Sequence, residues 1–329
     1  MPKGSRFVQE TGQILQHPAV IAWKAFRSNE PLPCTVEVLK TPEGRYPNTK
    51  SRVYRLTGRF SFDAPVFVKL THAASVRVER IIYMEILPRL SVTRVRCHGT
   101  LDAEDEMAWI FLEPARGEFY QEEDEGHHRV ATQWLAAVHT ASSRLDLSDR
   151  LPGHSAGRYL HCLAQGRERI EPNMNNPVLK PHELTTLERI LRLWDIIDRN
   201  WLKLEAACGE MPKCLVHGDF VKKNVRIHQT RDGAAVYPLD WDISGWGVPA
   251  VDIERMDPVI YEKSVRHHWP HLGLRGVRKM ANVGVILRNL GLINETSVGL
   301  PYDWVETTMN ELGIYEACLA EAIHREGWR

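Results

Sequence analysis

One polar loop decides the interpretation of this sequence: LVHGDFVKKNVRI, residues 215–227. Apolar residues flank the loop on both sides, and it contains the pattern H-x-D-x-x-x-x-N in His217, Asp219 and Asn224. Sixteen residues beyond Asn224, an apolar run ends in a further carboxylate, Asp240. The alternation of apolar and polar residues around this loop predicts two strands that flank polar loops. We expect the oxygen-bearing side chains at 219, 224 and 240 to converge around one divalent ion.

Phosphoryl transfer requires this set of side chains. One carboxylate faces the acceptor hydroxyl, while an amide oxygen and a second carboxylate hold the metal that bridges the phosphates. Mg²⁺ prefers such oxygen ligands. We therefore predict that Asp219 is the catalytic residue, which accepts or orients the hydroxyl proton, and that Asn224 and Asp240 bind Mg²⁺. The alternative is that Asp219 and Asn224 only cap turns, as these residue types often do.

A lysine in an apolar strand gives independent support. Lys69 lies near the end of the run PVFVKL, residues 65–70, and a buried lysine is rare unless it has a partner. Glu79 and Glu85 both lie on the helix predicted next, but six residues separate them, so only one can face Lys69. We predict that one of them pairs with Lys69, because such a pair in kinase small lobes holds the α- and β-phosphates of ATP. The alternative is an edge-strand lysine whose ammonium extends to solvent.

The rest of the chain divides into a strand-rich part and a helix-rich part. Short runs of β-branched and aromatic residues predict strands within the first 113 residues, together with one major helix over residues 74–90. Residues 7–26 predict two short helices separated at Pro18. Helical periodicity dominates the remainder. The predicted strands cover residues 35–39, 52–56, 65–70, 93–97 and 108–112, and the predicted later helices cover 128–145, 183–208 and much of 252–328.

These motifs resemble the aminoglycoside phosphotransferase family of small-molecule kinases. The family's Brenner-type motif is similar to residues 217–224, and its metal-binding I-D-W segment is matched by LDW, residues 239–241. Its G-x-P-x-x-D element is matched by GVPAVD, residues 247–252, and LAAVH, residues 135–139, resembles a helix early in its C-terminal lobe. The resemblance covers residues 35–260 and is most specific around the polar loop.

The resemblance implies an α+β, bilobal, protein-kinase-like fold, with a small strand-rich N-terminal lobe in residues 1–113 and a larger, mostly helical lobe in residues 114–329. It implies that the nucleotide is ATP, with GTP left open, and that Mg²⁺ is the metal. It favours Glu79 over Glu85 as the partner of Lys69, since Glu79-x-x-x-Tyr83 followed by Leu87 is similar to the family's pattern. It also places a hinge at Glu113, where backbone groups would meet the purine. His217 and Asp252 are expected to support the loop, His217 by packing beneath it and Asp252 by accepting its backbone N–H bonds.

The loop between the first two predicted strands departs from the simplest kinase. Residues 40–51 contain a single glycine, whereas a glycine-rich loop would bring several backbone N–H groups close to the phosphates. Side chains of Lys50, Ser51 and Arg52 are the alternative contacts. Lys222 and Lys223 in the catalytic loop raise a similar choice between phosphate contact and exposure to solvent.

Composition excludes several other classes of protein. Lys plus Arg and Asp plus Glu both number 42, so the formal net charge is zero and bulk attraction to nucleic acid or to an anionic membrane is not expected. Neither a membrane-spanning run nor an apolar N-terminal segment is present, which predicts a soluble, cytoplasmic protein. Six scattered cysteines indicate free thiols.

We therefore expect an ATP-dependent phosphotransferase that acts on a small-molecule hydroxyl. Aminoglycosides or other antibiotics, sugars, nucleosides and amino alcohols are all open as acceptors. The acidic run at residues 122–125 suggests the hypothesis of a cationic acceptor, whereas a solvated loop is the preferred interpretation of this run. A non-catalytic nucleotide-binding protein on a kinase fold also remains open. A protein kinase is disfavoured, because only a dozen residues separate Asp240 from the helical region at Asp252.

Overall fold

The computed structural model of the protein describes residues 6–10, 13–40, 51–62, 64–231, 233–303 and 305–329. Its contacts group the chain into two compact units. The first unit combines Met1–Trp134 with His217–Ser244, and the second combines Leu135–Val216 with Gly245–Arg329. The lobe boundary predicted after residue 113 remains a prediction.

The first unit contains a six-stranded antiparallel sheet. Its strands are β1 (Arg6–Gln9), β2 (Thr35–Lys40), β3 (Arg52–Thr57), β4 (Val66–His72), β5 (Cys97–Asp102) and β6 (Met107–Leu112), in the spatial order β1-β2-β3-β4-β6-β5. Helix α1 (Pro18–Phe26) begins with proline at its first position, where the missing N–H costs no hydrogen bond. Trp23 of α1 is fully buried against Phe111 of β6, with their ring centroids 5.6 Å apart. Burial of these apolar side chains fixes α1 against the sheet.

Two sequence predictions for this sheet are wrong. The segment that contains Phe7 forms β1 rather than a helix, because it pairs antiparallel with β2. The strand predicted over residues 93–97 begins only at Cys97. The polar groups of Thr93 are used elsewhere: its Oγ1 donates to the carbonyl of Val236 at 2.6 Å, and its own carbonyl accepts the indole N–H of Trp134 at 3.0 Å. The other four predicted strands are confirmed.

The helix predicted after β4 is present and changes form along its length. Helix α2 (Ala73–Ile81) is followed by a π-helical turn, Ile82–Ile86, and a short 3-10 turn that contains Pro88. The helix buries an apolar stripe together with the carboxylate of Glu79, which is 0% exposed. Burial of a charged side chain within an apolar stripe indicates that it has a specific partner.

A second, smaller sheet completes the first unit. Strand β7 (Glu118–Phe119) pairs with β10 (Val225–Thr230), which forms an antiparallel hairpin with β11 (Gly233–Pro238). Gly117, just before β7, has a φ of +89°, and a Cβ atom there would lie 2.1 Å from the carbonyl oxygen of Ile227. Only glycine fits at this point of contact.

The second unit is mainly helical. Its short strands β8 (Gly153–His154), β9 (Cys214–Val216) and β12 (Gly245–Gly247) form a three-stranded sheet in the order β8-β12-β9. The helices of this part of the chain are α3 (Glu125–Ser142), which begins in the first unit, α4 (Ala156–Asn173), α5 (Pro181–Arg199), α6 (Trp201–Gly209), α7 (Ala250–Ile253), α8 (Pro258–Val265), α9 (Gly273–Thr296) and α10 (Glu306–Arg325).

The helix predicted over residues 183–208 is interrupted at Asn200, which separates α5 from α6. The helix predicted over residues 128–145 is confirmed as α3, three residues earlier along the chain. A sheet-rich N-terminal region and a helical C-terminal part confirm the predicted α+β class. Within the described ranges, the helices are too short or too polar to span a membrane.

Candidate active site

The catalytic loop between β9 and β10 brings Asp219 and Asn224 into direct contact. Asn224 is 5% exposed, and its side-chain nitrogen donates to the carbonyl oxygen of Asp219 at 3.0 Å and to the carboxylate Oδ2 of Asp219 at 2.9 Å. Because the amide nitrogen is held by Asp219, the amide oxygen of Asn224 is the atom that would bind a cation. A turn-capping role alone would not require this contact between two side chains.

His217 is buried beneath the loop. Its Nε2 lies 3.1 Å from the carbonyl oxygen of Leu239, and its Nδ1 accepts the backbone N–H of Asp219 at 3.3 Å. Since a carbonyl can only accept, the proton is on Nε2 and the imidazole is neutral. The ring also packs on Trp241, with the centroids 4.4 Å apart. His217 thus connects the backbone at Asp219 to the segment that carries Asp240.

Asp240 follows the strand β11 and lies close to the loop. The backbone N–H of Leu239, its neighbour, donates to the carbonyl oxygen of Asn224 at 2.7 Å. Asp240 has a φ of +66°, a conformation that non-glycine residues rarely adopt. A carboxylate oxygen of Asp242, two residues further on, lies 4.0 Å from Nζ of Lys69, which Asp240 also contacts.

Lys69 is the cation of a cluster of three carboxylates, those of Glu79, Asp240 and Asp242. It is 8% exposed on β4, and its Nζ donates to Oε1 of Glu79 at 2.5 Å and also to Asp240. The competing glutamate, Glu85, instead pairs with Arg80 at 3.1 Å. The structure thus pairs Lys69 with Glu79, the preferred candidate, and not with Glu85.

The charges of the cluster perturb one another. Burial alone would lower the pKa of Lys69, but the carboxylates of Glu79, Asp240 and Asp242 raise it above the usual value. Burial raises the pKa of Glu79 to about 7, against the opposing effect of Lys69. Burial, and then the neighbouring charge of Asp240, raise the pKa of Asp242. The site therefore concentrates negative charge around a single buried ammonium, and it would gain from an additional cation.

The donor set fits Mg²⁺ bound through phosphates. Asn224 and Asp240 offer one amide oxygen and one carboxylate, and Mg²⁺ on nucleotides typically takes one or two protein ligands, with phosphate and water oxygens filling the rest. Among the residues that the structure describes, no group of three or more His, Cys, Asp or Glu side chains is arranged to hold a metal by itself. A cation here would thus depend on its nucleotide for most of its ligands.

Other predicted residues have contacts of a different kind. The backbone N–H of Glu113 donates to the carbonyl of Arg96 at 2.9 Å, so this N–H is already used within the sheet. The carboxylate of Asp252, in α7, lies 3.2 Å from Nε2 of His139 in α3, and both side chains are fully buried. The contact predicted between Asp252 and the catalytic loop remains a prediction. Of the glycine-poor loop, residues 41–50 lie outside the described residues.

The sequence did not anticipate where the two loop lysines would lie. Lys222 contacts the side chain of Gln121, whereas Nζ of Lys223 lies 3.0 Å from Oδ2 of Asp219. The sequence carries no signal for this contact, because residues 219–221 do not form the helix in which a spacing of four would bring opposite charges together.

Comparison with known proteins agrees with this geometry. The model of the phosphotransferase enzyme family, APH, matches residues 48–256, which is more than half of the chain. The chain belongs to this family. Membership confirms the resemblance to aminoglycoside phosphotransferases and makes the protein a small-molecule phosphotransferase. No functionally curated protein matches the sequence.

Solved structures share the fold at low sequence identity. The GDP and kanamycin complex of APH(2")-IIia has a TM-score of 0.64 at 12% identity, covering 90% of this chain and 97% of that one. Spectinomycin phosphotransferase, APH(9)-Ia, in complex with ADP and spectinomycin, has a TM-score of 0.59 at 9% identity, covering 92% and 97%. Choline kinase from Cryptosporidium parvum Iowa II has a TM-score of 0.56 at 11% identity, covering 88% and 91%. These likenesses establish the fold.

Proposed function

We propose that the protein transfers the γ-phosphoryl group of ATP to a hydroxyl group of a small molecule. The observation that carries this proposal is the contact of Asn224 with Asp219, joined through Leu239 to Asp240. These contacts collect a base, an amide oxygen and a second carboxylate in one unit of the chain, beside the ion pair of Lys69 and Glu79. A turn cap, or a buried lysine alone, would not require all of them together.

Each residue has a separate role in the proposed reaction. Asp219 accepts or orients the proton of the acceptor hydroxyl, and positioning matters more than basicity because the transition state is loose. Asn224 and Asp240 would hold Mg²⁺, which would neutralise charge on the phosphate oxygens. Lys69, fixed by Glu79, binds the α- and β-phosphates. His217 maintains the backbone of Asp219 through its neutral imidazole.

ATP is the proposed phosphoryl donor, and GTP is the alternative that the experiment should include. Two solved relatives with this fold contain ADP and GDP respectively, so the fold accommodates both purines. Backbone groups at the hinge near Glu113 are the proposed contacts of the base. Since the N–H of Glu113 donates to Arg96, the base would meet other backbone groups of this segment.

A cationic acceptor is the proposed substrate class, on the basis of the acidic run after the hinge. Asp124 has a local role, because its carboxylate accepts the backbone N–H of His127 at 2.9 Å in the first turn of α3. Glu123 is exposed and Glu122 is half-buried, and both can attract a cation. Aminoglycosides and amino alcohols belong to this class.

Two variants separate catalysis from nucleotide binding. Asp219→Asn should reduce transfer from labelled ATP by at least about 100-fold in a panel of hydroxylated acceptors, with the Kd for ATP within a few-fold of the unaltered protein. Asp149→Asn, which changes an exposed aspartate of the second unit, is the control and should leave both unchanged. If Asp219→Asn retains full transfer, the proposed mechanism is wrong. If no acceptor is modified while ATP still binds, the chain is a non-catalytic nucleotide-binding protein.

The acidic run has its own test. Glu122→Gln combined with Glu123→Gln should raise KM for a cationic acceptor several-fold and leave KM for ATP unchanged. Glu104→Gln combined with Glu106→Gln, at two exposed glutamates between β5 and β6, is the charge-matched control. Equal changes in both KM values would remove the argument for a cationic acceptor.

A further inference from the structure

The two adjacent lysines of the catalytic loop have different environments. Nζ of Lys223 lies 3.0 Å from Oδ2 of Asp219, although its side chain is 59% exposed. Lys222 extends to Gln121 instead. An exposed lysine normally remains in solvent, so the position of Lys223 against the proposed catalytic carboxylate calls for a chemical explanation.

The contacts of Asp219 indicate where the reaction takes place relative to Lys223. Oδ2 receives both the amide nitrogen of Asn224 at 2.9 Å and the ammonium of Lys223. A carboxylate oxygen accepts about two hydrogen bonds, so these two donors fill Oδ2. In the proposed reaction, the acceptor hydroxyl contacts this same carboxylate. The ammonium of Lys223 and the proposed metal ligand Asn224 thus both lie beside the carboxylate that would meet the hydroxyl.

We propose that Lys223 is a further catalytic residue, whose ammonium binds the non-bridging oxygens of the phosphoryl group during transfer. This inference rests on the proposed function. The acceptor oxygen forms its bond to the γ-phosphorus as the bond from that phosphorus to the β,γ-bridging oxygen breaks. The bridging oxygen keeps the electron pair and leaves as part of ADP, and the hydroxyl proton passes to Asp219. Lys223 forms no covalent bond, and its charge offsets the negative charge on the transferring group.

The geometry and chemistry of lysine suit this role. The γ-phosphorus must come within bonding distance of a hydroxyl that touches Asp219, so an ammonium 3.0 Å from Asp219 is within reach of the phosphoryl oxygens. An ammonium has three N–H donors and can contact Asp219 and a phosphoryl oxygen at once. The exposed aliphatic part of the Lys223 side chain can move with the phosphoryl group during transfer. A cation placed on the transferring phosphoryl group can contribute a factor of about 10³–10⁵ in GTPases.

Lys222 provides a matched control, since it has the same charge and is the next residue in the loop. The variants are Lys223→Met, Lys223→Arg and Lys222→Met. The Kd values of the magnesium complexes of ADP and of the ATP analogue AMP-PNP are measured by calorimetry, and ATP hydrolysis is followed with water as the acceptor. Only AMP-PNP contains a γ-phosphoryl group, so the difference between the two Kd values isolates contact with that group.

Lys223→Met should weaken binding of AMP-PNP at least tenfold, leave the Kd for ADP within twofold, and reduce kcat for ATP hydrolysis by about 10²–10³. Lys223→Arg should retain the preference for AMP-PNP because the charge is kept, and Lys222→Met should behave as the unaltered protein. If Lys223→Met and Lys222→Met have equal effects, or if ADP and AMP-PNP are weakened equally, the proposal is wrong.

A double-variant cycle distinguishes phosphate contact from mere support of Asp219. With Asp219→Asn already present, Lys223→Met should still weaken AMP-PNP, because the contact with the phosphoryl group does not depend on the carboxylate. If Lys223 acted only by pairing with Asp219, its loss would have no effect in that background, and the proposal would fail while the proposed function stands. Failure of the unaltered protein to bind either nucleotide would overturn both.

Discussion

Removal of the buried lysine should destabilise the protein strongly. At 2.5 Å, the pair of Lys69 and Glu79 has a Coulomb attraction of about 7 kcal/mol for an effective dielectric constant of about 20. That attraction offsets a desolvation cost of several kcal/mol for each ion. In Lys69→Met, the carboxylate of Glu79 stays 0% exposed and loses its partner. We expect the free energy of unfolding to fall by about 3–5 kcal/mol.

Calorimetric unfolding measures this loss, which corresponds to a decrease in Tm of roughly 6–20 °C for a unit of this size. The double variant Lys69→Met with Glu79→Leu should regain much of the stability, because the buried charge is gone. Arg55 and Glu37 form the control pair on the same sheet, also at 2.5 Å but with side chains 38% and 20% exposed. Arg55→Met should cost less than about 1 kcal/mol.

The effect of Lys69→Met should depend on pH. The pKa of Glu79 in the folded protein, about 7, exceeds its unfolded value of 4.5, so the folded state binds the extra proton. Protonation of Glu79 therefore stabilises the folded state at low pH, and this stabilisation is lost as the pH rises through about 7. Loss of Lys69 raises the folded pKa further, so the variant and the unaltered protein bind different numbers of protons only above about pH 7. The difference in stability between them should therefore widen as the pH rises above about 7. A loss below about 1 kcal/mol, or a double variant less stable than the single one, would refute the reasoning.

Two further predictions concern positions outside the ion pair. Gly117→Ala should cost more than about 2 kcal/mol, because the residue has a positive φ and its Cβ would clash with the carbonyl of Ile227; Gly153→Ala, where a Cβ meets no atom within 4 Å, should be close to neutral by the same unfolding assay. Asp252→Ala should cost about 3 kcal/mol because it leaves the buried His139 without its carboxylate partner, whereas Asp252→Asn keeps a hydrogen-bonding group and should cost less. Equal losses within either pair would contradict these arguments.

The parts of the molecule that could be predicted from the sequence are those in which residue type and local spacing agree. Lys69 stood out because a charged residue in an apolar strand needs a partner, and helical spacing limited that partner to one of two glutamates. The H-x-D-x-x-x-x-N pattern likewise located Asp219 and Asn224, which the fold brings into contact. Their chemical roles remain predictions that the experiments above address.

The features that were missed depend on contacts distant in sequence or on backbone geometry. The segment around Phe7 is apolar enough for a helix, but it becomes a strand because the edge of β2 is available to pair with it. Asp240 has a positive φ, a conformation that non-glycine residues rarely adopt and that the apolar run before it does not indicate. The approach of Lys223 to Asp219 arises in the same way, from the course of a loop that has no repeating pattern.

The first unit is built from two separate stretches of chain, and this has a consequence for synthesis of the protein. The ribosome completes residues 1–134 before it makes the 82 residues 135–216 that belong to the other unit. At roughly 5–20 residues per second, several seconds pass between synthesis of β7 and synthesis of β10 and β11, the other two strands of the smaller sheet. During that interval β7 lacks the strand with which it pairs, and unpaired strand edges are prone to association. Truncation before residue 217 should therefore yield an aggregation-prone fragment rather than a smaller working domain.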